Sequence, residues 1–283
     1  MGNALYPEYL KVSEADLGKG ASVEVKVVDG MDEIAHAVAD EMMAVVDAAQ
    51  AEGCAATMII PVGPVDQFPI LAQMINKQGK GWREVVLINM DEYLDEDDQW
   101  VPEGHPLSFR GYMKRKFYDL IDPDLAPLEQ NRVFPDPRDL SGIQKLIAAR
   151  GGLDACFGGI GINGHMAFNE PPEPGELCSL EEFAARPTRN LNLSRETVTI
   201  NSVTVGGGLA VIPRRAITVG MKEILAARKL RLYCNRLWQS AVVRKVLHDE
   251  VGPACPASYI RGHADARLTV AKYVAEPPDI ALR

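Results

Sequence analysis

The chain has 283 residues, 47% of them hydrophobic, and a formal net charge of −9. That length suits one large globular domain or two small ones with a sizeable core. The negative balance argues against a nucleic-acid surface, which needs a basic stripe, and apolar runs such as Thr57-Met58-Ile59-Ile60 fall far short of the ~20 residues that span a bilayer.

Residues Ser22 to Val28 read as a strand. Met31 to Ala51 carries Ile34, Val38, Met42 and Val45 at the spacing of one helical face. Ala56 to Val62 is an apolar strand running into Gly63-Pro64, and Pro64 suits the first turn of a helix reaching about Asn76. Glu84 to Asn89 is another buried strand, and Ser108 is a candidate N-cap for a helix to Leu120. Asn131 to Phe134 reads as a short strand, and Asp139 to Ala149 as a helix stopped by Gly151-Gly152. Leu153 to Phe157 is a strand that breaks into a glycine-rich turn. Pro171 to Thr204 is polar, contains Pro171, Pro172, Pro174 and Pro187, and is too long for a simple connection, so it reads as a lid-like segment. Strands follow at Ala216 to Val219, Leu230 to Cys234 and about Leu268 to Tyr273, with helices at Lys222 to Ala227 and Trp238 to His248. The alternation specifies a single α/β domain over residues 1–283: a doubly wound, mostly parallel sheet with helices on both faces.

In such sheets ligands bind beyond the carboxyl ends of the strands. Three strand exits carry chemistry-competent residues: Gly63, then Asp91-Glu92, then Asn163 to His165. A carboxylate half-desolvated at a strand exit acquires a pKa nearer working pH, which suits Asp91 as a general base. Asp95, Glu96, Asp97 and Asp98 continue the negative run and are expected in solvent. His165 can exchange a proton near neutrality, and Glu170 lies close enough in sequence to orient it. His36, His105, His248 and His263 are expected in structural or solvated roles. No set of residues has metal-ligand spacing, no serine sits in a nucleophile elbow, and Gly206-Gly207-Gly208 is not a dinucleotide fingerprint.

The five cysteines contain no C-x-x-C pair, which fits a reducing cytoplasm. Cys156 and Cys234 are expected to be buried, Cys178 and Cys255 more accessible. Met1 to Lys11 shows no basic segment followed by an apolar run, so no secretory signal is expected.

Taken together, Asn89-Met90-Asp91-Glu92-Tyr93, His105-Pro106 with Ser108-Phe109 and Tyr112-Met113, the block from Gly158 to Pro171, Asn201-Ser202 and Ala216 to Gly220 resemble the glucosamine-6-phosphate deaminase family, which shares its fold with 6-phosphogluconolactonases. The Ala167-Phe168-Asn169-Glu170-Pro171 ending is specific to the deaminase branch. The resemblance implies that Asp91 moves a proton between C1 and C2 of an open-chain sugar, that His165 assists ring opening, and that Glu170 orients His165. It also places Asn163 in the catalytic set, puts Gly63, Pro64, Glu92, Gly164 and Arg236 at the substrate, and implies no metal or organic cofactor. The implied partner is a small sugar or sugar phosphate, with neither nucleic acid nor membrane involved, and homo-oligomers occur in the family.

Four departures modify that expectation. Asn163 stands where the family has aspartate; its carbonyl can accept from the imidazole N–H but cannot stabilise an imidazolium by charge. The phosphate-cradling loop, hydroxyl-rich in the family, is Pro61-Val62-Gly63-Pro64-Val65 here. Val203 replaces the arginine expected after Asn-Ser, and Arg236 aligns with a phosphate-binding lysine. A lysine beside Arg189 in the family's allosteric site is Leu191 here. Each charge-assisted hydrogen bond is worth roughly 1.5–3 kcal/mol, so phosphate binding is expected to weaken unless Arg195, Arg214 or Arg215 substitutes. The expected function is an amino-sugar isomerase/deaminase with an altered phosphate pocket. An aldose–ketose isomerase without deamination and a non-catalytic sugar sensor are the alternatives.

Overall fold

A computed structural model describes residues 6–63 and 66–280. Pro64, expected to open a helix and touch substrate, lies outside the described residues. The strands are β1 (Glu24–Val28), β2 (Thr57–Ile60), β3 (Val86–Asn89), β4 (Asp91–Leu94), β5 (Arg132–Val133), β6 (Ala155–Gly158), β7 (Arg189–Asn192), β8 (Arg215–Thr218), β9 (Lys229–Cys234) and β10 (Ala266–Ala271). The helices are α1 (Met31–Ala51), α2 (Gln67–Gln78), α3 (Phe109–Lys116), α4 (Gly142–Ala149), α5 (Leu180–Ala184), α6 (Arg195–Ser202), α7 (Met221–Leu225), α8 (Gln239–His248) and α9 (Lys272–Ala275).

Seven strands form one sheet in the order β1-β10-β9-β6-β2-β3-β5, every neighbouring pair parallel. Strands β2, β3 and β6 are buried throughout, which explains why they read as continuous apolar runs. Ile34, Val38, Met42 and Val45 of α1 are all buried in the same core, as their spacing required. Burying each such side chain stabilises the fold by roughly 1.5–3 kcal/mol.

The winding matters more than the strand count. From β2 the chain moves outward through β3 to β5; it then returns to β6, beside β2, and moves the other way through β9 to β10. The direction therefore reverses between β2 and β6, and the crevice beyond their carboxyl ends is the topological switch point where ligands bind.

A second sheet, with order β4-β8-β7, is antiparallel. Met90 alone separates β3 from β4. Its N–H donates to Ile60 O of β2 at 2.9 Å, and its carbonyl accepts from Val219 N at 2.7 Å, handing the chain from one sheet to the other. Asp91 is thus the first residue of a strand, not of a loop, and the Ala216 strand belongs to the small sheet. The 171–204 segment is not irregular: it contains α5, β7 and α6, with Ser194 capping α6 through Thr197 N. A second apolar cluster of Tyr93, Val101, Phe168, Leu193, Val198, Ile212 and Ala216 packs this part together. The last strand stops at Ala271, where α9 begins, and the helix after Ser108 ends at Lys116 with a 3-10 turn beyond it. Cys156 and Cys234 are buried as expected, but Cys255 is only 1% exposed, because it packs under Gly164.

Candidate active site

A cleft of about 370 Å³ opens at the switch point. Four strand exits meet in it: Pro61 to Gly63 after β2, Met90 and Asp91 after β3, Gly159 to Gly161 after β6, and Asn235 and Arg236 after β9. Asn201 of α6, Thr204 just beyond it and Ile212 close the other wall. Tyr93, Phe109 and Phe168 form an aromatic side with ring centroids 5.0–6.3 Å apart.

Adjacent carboxylates at the head of β4 meet opposite environments. Glu92 is fully buried and turns to the start of α3. It accepts from Phe109 N at 3.0 Å, Arg110 N at 2.9 Å, Ser108 Oγ at 3.0 Å and Tyr93 N at 2.9 Å, with Arg110 Nε at 3.3 Å. A carboxylate there satisfies orphan N–H groups and the helix dipole. Ser108 also caps α3 through Gly111 N, as expected. Glu92 therefore anchors α3 and does not line the cleft, contrary to its expected substrate contact. Asp91 alternates to the other face of the strand and does line the cleft. It is 8% exposed, and among the described residues nothing hydrogen-bonds its carboxylate. Burial first, then the neighbouring Glu92 charge, pushes its pKa up to about 8.

The turn after β6 supplies the second group. Gly164 takes φ +89° and Ala167 φ +50°, both in the left-handed region. Gly164 N bonds to Gly161 O, and Gly161 N to His165 O, so the turn closes on itself. Phe168 N donates to Thr218 Oγ1 at 3.0 Å, and Asn169 Nδ2 to Val219 O at 2.9 Å, tying the turn to β8 beside Asp91. His165 faces the cleft against Gly161, where any Cβ would overlap the imidazole around Nε2.

The opposite ring nitrogen is held by polar atoms. Asn163 Oδ1 lies 2.8 Å from His165 Nδ1, with Thr197 Oγ1 at 3.2 Å and Glu170 Oε2 at 3.3 Å. Asn163 Nδ2 donates to Glu170 Oε2 at 2.7 Å, which turns its carbonyl toward the ring. The network thus defines Nδ1 as the protonated nitrogen and leaves Nε2 to the cleft. Burial alone would raise the pKa of Glu170; hydrogen bonding and charge from His165, with bonds from Thr197 and Asn163, outweigh it and hold the group at about 2.

Arg236 is the one cation lining the cleft among the described residues. None of the three possible substitutes lines it. Arg215 is engaged with Asp98 and Asn192, Arg195 lines a separate surface groove with Val203, and Arg214 is exposed. Val203 is 67% exposed and faces that groove; Thr204 is the neighbour that reaches the cleft. Gly63 lines the cleft. Gly164 does not, since its α-carbon faces Cys255 Sγ. Asp98 is not merely solvated, because it pairs with Arg215. His36, His105, His248 and His263 make hydrogen bonds to backbone atoms and do not line the cleft. Arg189, expected near an effector site, is partly buried with its guanidinium on Asn169 Oδ1 at 2.7 Å. Sequence reasoning gave no role to Asn235, Gln239 or Thr204; the exit of β9 was the signal for the first two. Among the described residues no group of three His, Cys, Asp or Glu side chains is placed to hold a metal ion.

No protein-family model matches the chain. Curated relatives are informative: it is 31% identical over 210 residues to the glucosamine-6-phosphate deaminase of Pseudoalteromonas translucida, an alignment covering 73% of each chain. It is 33% identical over 175 residues to that of Phocaeicola vulgatus, covering 61% of each. Among solved structures, a monomeric glucosamine-6-phosphate deaminase superposes with TM-score 0.76 at 21% identity, over 89% of this chain and 99% of that one. The 6-phosphogluconolactonase of Trypanosoma brucei gives TM-score 0.66 at 17% identity, over 90% and 98%. The fold is therefore the one shared by these deaminase and lactonase structures. Within it, the chain belongs to the glucosamine-6-phosphate deaminase family, as a divergent member.

Proposed function

We propose that this protein isomerises and deaminates an amino sugar of the glucosamine class, converting a 2-amino-aldose and water into a 2-ketose and ammonia. The single observation that carries this reading is Asp91: a buried carboxyl with a pKa near 8 and no hydrogen-bond partner among the described residues, in one cleft with an imidazole whose Nδ1 is fixed by Asn163 and Glu170. His165 Nε2 relays the proton between the anomeric hydroxyl and the ring oxygen, opening the sugar to its aldehyde. Asp91 then takes the proton from C2, and the electron pair left behind forms the C1–C2 enolamine as the aldehyde oxygen is protonated. Returning a proton to C1 gives the imine at C2. Water adds to the imine carbon and ammonia leaves, so atoms balance without an external oxidant or reductant. A base with pKa near working pH gives efficient proton transfer in both directions.

The aromatic side of Tyr93, Phe109 and Phe168 gives the C–H faces of a sugar an apolar surface, and Asn201, bonded to Tyr93 Oη at 3.0 Å, aligns the phenol. The test is ammonia release from amino sugars in deuterated water, with deuterium followed at C1 of the ketose. Ammonia with solvent deuterium at C1 supports the reading. No ammonia from any amino sugar, with ketose formed from a 2-hydroxy aldose, would reduce it to plain isomerisation, and a normal rate in Asp91→Asn would remove Asp91 as the base.

A further inference from the structure

The end of the cleft opposite Asp91 has a donor set of unusual poverty. Arg236 leaves β9, and two strands, β6 and β2, separate β9 from β3, which leads to Asp91. At ~4.8 Å per strand that spacing is roughly 14 Å, so the base and the cation stand at opposite ends. We infer that the Arg236 end is built for a single carboxylate, and that the substrate is a 2-amino-2-deoxyhexuronate and not a phosphate ester. The inference rests on the isomerase/deaminase reading and names its substrate.

Among the described residues two side-chain donors without a partner lie there. The Arg236 guanidinium has no ion-paired or hydrogen-bonded partner among the described residues, and its backbone N–H is held by Gln239 Oε1 at 2.8 Å. Asn235, 4% exposed and lining the same cleft, has a buried Nδ2 with no hydrogen-bond partner. Gln239 adds nothing more, because its Nε2 is committed to Ile160 O at 2.8 Å. Pro61, Val62 and Gly63 offer no side-chain donor, and Asp66 puts a carboxylate at the N-cap of α2, on the strand-to-helix connection from β2.

A phosphate ester brings two charges and three terminal oxygens. In this cleft its second charge would be desolvated without a partner, which is costly. A neutral sugar would leave the guanidinium and the Asn235 amide covered and unpaired, which is also costly. A carboxylate at C6 meets both constraints. Its one charge matches one cation, and its two oxygens take the planar guanidinium fork with the amide alongside.

The experiment compares ammonia release from 2-amino-2-deoxy-D-glucuronate and its galacto epimer with that from glucosamine-6-phosphate and glucosamine. The expected result is a kcat/KM for one of the uronates at least about tenfold above both other sugars. Arg236→Met should then lower that value about 10–100-fold, chiefly through KM, as loss of a charge-assisted bond requires. Preference for the phosphate ester, preference for glucosamine, or equal rates on all would overturn the inference and leave the isomerase/deaminase reading standing. If the folded protein releases ammonia from none of the four, the reading itself fails, and the inference with it.

Discussion

In Asp91→Asn a carboxyl with a pKa of about 8 becomes a neutral amide of nearly the same shape. The ordinary value is 3.8. Between these two values the folded protein keeps a proton that the unfolded chain has released, so the native state loses ~1.4 kcal/mol per pH unit as pH rises. The stability is fully present below pH 3.8, falls through the window up to about 8, and is flat above it. At pH 7, roughly three units into the window, the accumulated cost is about 4 kcal/mol. Water in the open cleft screens part of it, so a gain of about 2–4 kcal/mol is expected for the asparagine variant at pH 7–8, and almost none at pH 3.5. Urea denaturation of both proteins at the three pH values measures this directly, and ammonia release should fall to background in the variant. The parent's kcat/KM should rise with pH toward a plateau above about 8. A variant no more stable than the parent at pH 8 would refute the claim that Asp91 is held as a desolvated base.

Gly161→Ala would drive a methyl into the imidazole of His165, and a displacement of about 1 Å is enough to cost ~10²-fold, so kcat should drop by that order while the melting temperature changes little. In Glu170→Gln the opposite pH sign applies. The pKa of Glu170 is depressed, so its stabilisation is present above pH 4.5 and disappears as pH falls toward 2. The variant should lose about 1.5–3 kcal/mol at pH 7 and converge with the parent near pH 2, checked by denaturation at both. Thr204→Arg would add a second cation to the cleft wall and should tighten glucosamine-6-phosphate binding about tenfold by calorimetry, whereas Val203→Arg, on the neighbouring groove, should not.

The large sheet was legible in the sequence because its central strands are buried on both faces and read as apolar runs. The small sheet was not. Its strand β4 begins Asp91-Glu92 and β7 is Arg189-Asn190-Leu191-Asn192, sequences whose polar residues signal loops. They are strands because β8 lies between them and pairs with both. The same cause hid the direction of Glu92: only after Asp91 and Glu92 are placed on one strand does their alternation separate base from cap. Val203 is of another kind: it stands where the resemblance expects arginine, but the end of α6 leaves it on the neighbouring groove and turns Thr204, one residue later, into the cleft.

The handover at Met90 has an evolutionary consequence. In the proposed reaction, proton chemistry is assembled on the small sheet and the turn stitched to it, while discrimination at the far end would fall to the short exits of β2 and β9 in the large one. Exit residues such as Pro61 to Gly63 and Arg236 could therefore change without disturbing the framework that holds Asp91 and His165. New sugars become reachable by small steps, each leaving a working reaction centre behind it.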